Sequence, residues 1–380
     1  MKCIDENKAW IDETWEKLDR KLKNVSRSAY DMLPYTTKNG RYTEYEGYAK
    51  EIRPCWWTNG FWPGLMWLMY IGTKDEQYKK TAEHAEELLD KAFEIYDNLH
   101  HDVGFMWHIS SGVNYRLFGG HKSKVRALHA ADILAARYNS SGKFIRAWNG
   151  KKEVGRIIID CMMNISLLYW ASEETGDPRY KYAAMNHADT TLRTHIRADG
   201  SVCHIVDVDP ETGEKLQVLS GQGCSPESSW SRGQSWALYG YILSYIHTGK
   251  KQYIDTAKNV AHYFIANLAE YAVPLCDFRA EDEQVVYDTS AGSCAACGLI
   301  EIANNLPESE KSLYLKAAIR ILKTLERDFC DWSDKQEAIL QGGTVAYYSD
   351  SNNKHIPLIY GDYFFAEAIY KLKGFKMLFW

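Results

Sequence analysis

The chain has 380 residues, more than one simple domain usually holds, so either two domains or one closed repeat architecture is expected. Its net charge of −5 is spread without long blocks of like sign, which argues against nucleic acid and anionic membrane as partners. Aromatic residues are the departure from ordinary composition: 13 Trp and 26 Tyr, side chains whose polar edges favour half-wet clefts.

The first stretch, MKCIDENKAWIDETWEKLDR, is charged and amphipathic, without the apolar run or cleavage site of a secretion signal. No apolar stretch reaches the roughly 18 residues of a membrane helix. The nine cysteines, an odd number, lie mostly among apolar or small residues, which suits reduced thiols in a cytoplasm. Cys294 and Cys297 form a CxxC with no second pair or nearby histidine, and packing is the expectation there.

A helix is expected over 8–23, with Trp10, Ile11, Trp15, Leu18 and Leu22 at helical spacing. CWWTNGFWPGLMWLMYIG, at 55–72, predicts a short helix that Thr58 or Asn59 caps; being apolar on all sides, it belongs inside. The segment 75–97 is charged with one apolar stripe, Tyr78, Ala82, Ala85, Leu88, Leu89, Ala92 and Ile95, and covers the outside. The alternation continues. Inner-type runs stand at 124–139, 157–172, 229–246, 289–305 and 361–372, and outer-type partners at 177–196, 251–271 and 309–329. The joints also repeat: Gly72, Tyr78 and Ala82; Gly176, Tyr180 and Ala184; Gly249, Tyr253 and Ala257. Self-similar helix pairs indicate a hairpin array, of which eleven helices are counted and a twelfth is easily missed. Inner helices this apolar favour a closed double ring, an all-α (α/α)6 barrel, with loops at the N-terminal ends of the inner helices gathered at one mouth. The one strand-like piece is 201–220, a hairpin turning at ETGEK. The chain is read as a single domain, 1–380.

Polar residues interrupt the inner helices mainly at their starts: Trp57 and Asn59, His101 and Asp102, Asp160, Trp230 and Arg232, Asp288, Asp362. The stretch 221–240 combines Trp230 and Trp236 with Arg232, Gln222, Glu227 and Gln234. Such a mixture suits a sugar site, with indole faces on the C–H face of a pyranose and a guanidinium on a carboxylate or sulfate; it also suits the start of a buried helix. Asp160 follows three isoleucines and precedes Cys161, Met162 and Met163. Desolvation there would favour the protonated form that a general acid near neutrality needs; a helix cap is the alternative. Asp288 and Asp362 fit the cap reading better, and Asp102 is placed on a loop at the mouth, open to either role.

Five stretches together, WTNGFWPG at 57–64, HHDVGF at 100–105, IIIDCMMNISLLYWAS at 157–172, CHI at 203–205 and QGCSPESSWSRGQSWALYG at 222–240, resemble glycoside hydrolase family 88, the unsaturated glucuronyl hydrolases. The resemblance continues to DTSAG at 288 and YGDYFFAEA at 360–368. It implies an (α/α)6 barrel that removes a 4,5-unsaturated uronate from the non-reducing end of chondroitin, hyaluronan or heparin fragments by hydrating the double bond, so the usual carboxylate pair flanking a glycosidic oxygen is not the template. By the same resemblance Asp160 is the acid/base, Asp102 a second essential carboxylate, and Trp57, His204, Gln222, Trp230, Arg232 and Trp236 contact the substrate. The tryptophans are expected to stack on it and Arg232 to take its acidic group. Ser349, Ser351 and Lys354 are candidates for a sulfate or the adjacent sugar.

No metal or other cofactor is expected, nor a nucleic-acid or membrane partner; the chain is expected to act as a monomer or weak homodimer. The alternatives are the sister family acting on unsaturated rhamnogalacturonan and a non-catalytic saccharide-binding protein. A sugar epimerase of the same fold would need paired histidines, and the adjacent His100 and His101 are expected to point apart.

Overall fold

The computed structural model describes residues 2–268, 272–281 and 285–380. Twelve helices among them build two concentric rings. The inner ring holds α2 (Phe61–Thr73), α4 (103–118), α6 (161–175), α8 (Ser231–Thr248), α10 (Thr289–Asn304) and α12 (Ile359–Leu372). The outer ring holds α1 (Lys8–Ser28), α3 (Glu76–Leu89), α5 (His121–Ala135), α7 (Pro178–His195), α9 (Lys251–Ala266) and α11 (Glu308–Phe329). Each inner helix packs on the next, and α12 returns to α2, so the ring closes as an (α/α)6 barrel. No helix of the described residues is long and apolar enough to cross a membrane.

The pattern of burial follows from composition. Every side chain from Phe61 to Met69 in α2 and from Ser231 to Ser244 in α8 is buried, whereas α1, α3 and α11 bury one stripe each. The repeated joints have a shared purpose. Tyr78 donates to Asp19, Tyr180 to Asp132 and Tyr253 to Asp189, at 2.5–2.9 Å, each fastening an outer helix to its outer neighbour. Gly176 and Gly249 end their inner helices in the left-handed conformation, while at the first joint that position is Lys74 rather than Gly72.

Several expectations are corrected. The twelfth helix is α4, made of Val103–Trp107, a π-helical turn His108–Gly112 and Val113–Phe118. Its glycines and paired serines hide it from propensity reasoning, and tertiary bonds compensate: Ser111 and Asn114 donate to the buried Glu86 of α3, which also receives Trp67 and Arg126. The run 124–139 is therefore outer, not inner, with Val125 half exposed. Thr58 and Asn59 do not cap α2; a 3₁₀ turn, Trp57–Gly60, precedes it, and the Asn59 amide donates to the carbonyls of Arg53 and Pro54. The helix expected over 251–271 ends at Ala266, and 269–271 lie outside the described residues. Cys294 and Cys297 are buried, and all nine cysteines are free.

Strands are minor but not confined to one hairpin. Thr36–Lys38 pairs with Arg41–Thr43, and Tyr138–Asn139 with Phe144–Ile145. The expected hairpin, Ile205–Val208 with Lys215–Leu219, gains a third strand, Arg156–Ile158, and that strand leads straight to Asp160.

Candidate active site

The starts of α2, α4, α6, α8 and α12 meet around a cavity of about 300 Å³. Trp57, Asp102, Asp160, Arg232 and Tyr360 line it from those starts; Ile158 comes from the three-stranded sheet, and Tyr35, Tyr48, Trp56, His100, His101, Trp148, Gln222 and Val345 from the loops between.

The three-stranded sheet delivers one side. Arg156–Ile158 pairs with Ile205–Val208, and the Ile159 N–H donates to the His204 carbonyl, so His204 is brought alongside the residue before Asp160. His204 Nε2 is 3.3 Å from Asp160 Oδ2. Just past the returning strand lies Gly221, whose φ of +56° would strain any other residue and whose added Cβ would stand 2.2 Å from His204 Nδ1. Past it, the Gln222 N–H donates to that Nδ1 at 2.9 Å. Asp160 occupies the cap position of α6, yet its side chain makes no cap bond, and Oδ2 is sealed from solvent with no hydrogen-bond partner. The cap reading therefore fails, and the carboxylate is left available to something entering the cavity.

Asp102 forms the other side, in the turn just before α4 at its N-cap position, again without a cap bond. His101 Nε2 lies 3.1 Å from its Oδ1 and His100 Nδ1 3.4 Å from its Oδ2. The two imidazoles converge on one carboxylate instead of pointing apart. Asn164, one turn after Asp160, joins the two sides: its amide donates to Asp102 Oδ1 (3.1 Å) and to the Asp160 carbonyl (3.2 Å), while its Oδ1 accepts from the Phe105 N–H (2.8 Å). A Cβ on Gly104 would stand 2.6–2.8 Å from Asn164, so glycine is what lets α4 and α6 approach.

Burial alone would raise the Asp102 carboxyl, but the charge of His101 and the bonds from His101 and Asn164 hold it below the usual carboxylate range. Burial pushes His100 down to about 4, leaving it neutral. Donor atoms of His100, His101 and Asp102 lie within 4.8 Å of one another, a spacing an ion could share. Asn164 and His101 already meet one Asp102 oxygen and His100 the other, so the set is self-contained as an acid–imidazole cluster.

Other expected residues fall differently. Arg232 reaches the cavity, but its guanidinium pairs with the buried Asp288 and donates to the carbonyls of Thr344 and Val345 at 2.7 Å. Asp288 also caps α10 through the Ser290 N–H. Much of the donor fork thus fixes the 344–345 wall rather than standing open for a substrate anion. Gln222 lines the cavity and donates to the same Val345 carbonyl. Trp230 and Trp236 do not line it: Trp230 is buried against His204 and Arg232, and Trp236 lies in the core against Phe105 and Phe364. Trp236 belongs to a helix buried on all sides and Trp230 to the residue just before it, a setting local sequence does not distinguish from a cleft. The aromatic walls are Trp56, Trp57 and Trp148 with Tyr35, Tyr48 and Tyr360. Trp56 was foreshadowed only by its neighbour Trp57; Asn164, four residues from Asp160, was the other available signal. Ser349, Ser351 and Lys354 sit on the loop beyond Val345, outside the cavity lining, with the Lys354 ammonium over the Tyr347 ring.

The family model for Glycosyl Hydrolase Family 88 matches residues 31–273. The chain is 36% identical over 373 residues to an unsaturated chondroitin disaccharide hydrolase of Streptococcus pyogenes serotype M1, covering 94% of this chain and 90% of that protein. It is 35% identical over 325 residues to an unsaturated glucuronyl hydrolase of Bacillus sp. strain GL1, covering 83% and 86%. The crystal structure of an unsaturated glucuronyl hydrolase from Streptococcus agalactiae superposes with a TM-score of 0.88 at 33% identity, covering 97% of this chain and 93% of that one. With a helical double ring, two carboxylates at one mouth and these relatives, the chain belongs to glycoside hydrolase family 88.

Proposed function

We propose that this protein removes the 4,5-unsaturated uronic acid from the non-reducing end of glycosaminoglycan-derived oligosaccharides by acid-catalysed hydration of the double bond. One observation carries the reading: Asp160 and Asp102 face a single aromatic cavity from adjacent inner-helix starts, and neither is used as a cap. In the reaction, Asp160 as the acid protonates carbon 4, and positive charge develops at carbon 5 beside the ring oxygen. Asp102, as a carboxylate, stabilises that charge. Asp160, now ionised, takes a proton from water as its oxygen bonds to carbon 5. The resulting hemiketal opens to a ketone, and carbon 1, left as a hemiacetal, expels the remaining saccharide. One water is consumed. Trp57 and Trp148 supply faces for the sugar ring. His204 orients Asp160, and Arg232 contributes positive potential near the substrate carboxylate while its fork holds the wall.

The residues 1–380 are taken as one catalytic domain acting as a monomer or weak homodimer, in a cytoplasm that would keep its nine thiols reduced. The test mixes the protein with unsaturated chondroitin and heparin disaccharides, with and without sulfate, and follows loss of the ultraviolet band of the conjugated uronate. Hydration abolishes the band; a protein that only binds saccharide leaves it unchanged, and preference for an unsaturated rhamnogalacturonan disaccharide would favour the sister activity.

A further inference from the structure

Three histidines stand against the two carboxylates, and in two of them, His101 and His204, the far nitrogen is locked, in opposite senses. His101 Nδ1 lies 2.9 Å from the Ala147 carbonyl, which only accepts, so that nitrogen carries a proton. Its Nε2 is buried, has no hydrogen-bond partner elsewhere and stands 3.1 Å from Asp102 Oδ1. As a bare lone pair it would be repelled by that oxygen. Asn164 fixes the oxygen as an acceptor, because its own Oδ1 is tied to the Phe105 N–H and its amide protons must face Asp102. A second proton on the His101 ring turns the contact into an attraction. His204 is the reverse case. Its Nδ1 accepts the Gln222 N–H, so a neutral ring already presents Nε2–H to Asp160, and adding a proton would break the Gln222 bond.

We propose that His101 is a positioning residue held as an imidazolium, whose charge keeps Asp102 a carboxylate and so leaves Asp160 as the carboxyl of the pair that carries and gives up the proton. This rests on the hydration reading above. It assigns roles to two otherwise similar aspartates: one has a resident cation, the other a neutral donor. Burial opposes the arrangement, but the charge and contact of Asp102, with the Ala147 carbonyl, raise His101 above the ordinary imidazole value. The other groups facing the cluster do not supply the charge. His100 is neutral, His187 on α7 is pushed by burial to about 3, the Cys161 thiol is raised by burial, and the Tyr48 phenol is raised likewise. Arg137 after α5 is a cation, lowered by burial only to about 10, and its donors go to the carbonyls of Arg146 and Ala147 and to Asn149.

Two measurements test it. In protein labelled with ¹⁵N-histidine, the ring signal missing from His101→Gln, or displaced in Asp102→Asn, is expected to show both nitrogens protonated at pH 7.5; a neutral ring at that pH overturns the proposal. In steady-state kinetics on an unsaturated disaccharide, His101→Gln is expected to lower kcat by about 10–100-fold with KM little changed, and to move the acid limb of the kcat profile up by about one pH unit or more, because Asp102 then protonates more readily. A uniform loss with an unmoved acid limb reduces His101 to packing and also overturns it. If His101→Gln does not fold, the wild-type titration assigned through Asp102→Asn decides alone. Wild-type protein inactive on every unsaturated disaccharide would sink the hydration reading, while the protonation of His101 is read independently of turnover.

Discussion

Asp160 at the mouth and Glu367 at the far end of the barrel are both carboxylates enclosed by aromatic rings, and they are treated in opposite ways. Glu367 is 1% exposed and satisfied: it accepts from the Tyr239 hydroxyl (2.8 Å) and the Trp380 indole (3.1 Å), with the Lys371 ammonium 3.5 Å away. The chain around it seals that end. Trp380 packs on Phe61, Phe105, Tyr363 and Phe364, and Arg116 holds the carbonyls of Leu378 and Phe379. Asp160 Oδ2, by contrast, meets only His204 Nε2, and Trp56 Nε1 nearby also lacks a partner. A buried carboxylate oxygen left incompletely bonded costs stability, so its retention beside a cavity fits a place kept for a ligand, whereas Glu367, with both oxygens bonded, serves packing.

That contrast is breakable. Asp160→Asn, nearly isosteric, is expected to cut kcat by about 10³-fold while thermal unfolding stays close to wild type; a large drop in Tm with retained activity would erase the distinction. Trp380→Ala should do the converse, costing about 3–5 kcal/mol in denaturant unfolding with KM of the surviving folded protein unchanged. Gly104→Ala lies between the two, since the new Cβ must push Asn164 and hence both aspartates. It should cost about 1–3 kcal/mol and lower kcat as well, measured by unfolding and kinetics on one preparation.

A last effect appears only in acid. His187 is fully buried, accepts the Ile145 N–H at 3.0 Å and is pushed by burial down to about 3, so it is neutral in the folded chain but protonates near 6.5 once unfolded. A depressed histidine contributes stability that is whole above the unfolded value and is lost as pH falls from about 6.5 towards 3, by at most roughly 1.4 kcal/mol per unit for this group. Denaturant midpoints of His187→Gln should fall less steeply over that range than those of wild type; parallel curves would remove His187 from the account.

The hairpin array was legible because burial on all sides and burial along one stripe leave different periodicities, as in α2 against α3. The helix 103–118 was not, since its glycines and serines depend on Glu86 and Asn164 from other elements. Asp160 stood out as a lone charge in an apolar run. Trp236 stood out equally and belongs to the core, because an indole's identity does not say which way it faces.

By itself, then, the sequence determined most of the alternation of inner and outer helices, the family motifs and the position of Asp160 at a helix start, all properties of local pattern. Only the tertiary structure decided that His100 and His101 lean on Asp102, that His204 is brought to Asp160 by a sheet, that Arg232 is committed to Asp288, and that Trp56, Trp57 and Trp148 rather than Trp230 and Trp236 form the wall. Apart from the contacts within His100, His101 and Asp102, these pairings join residues tens of positions apart, and what selects them is the closing of the ring, which fixes the neighbours of each helix start and which polar atoms are left without one.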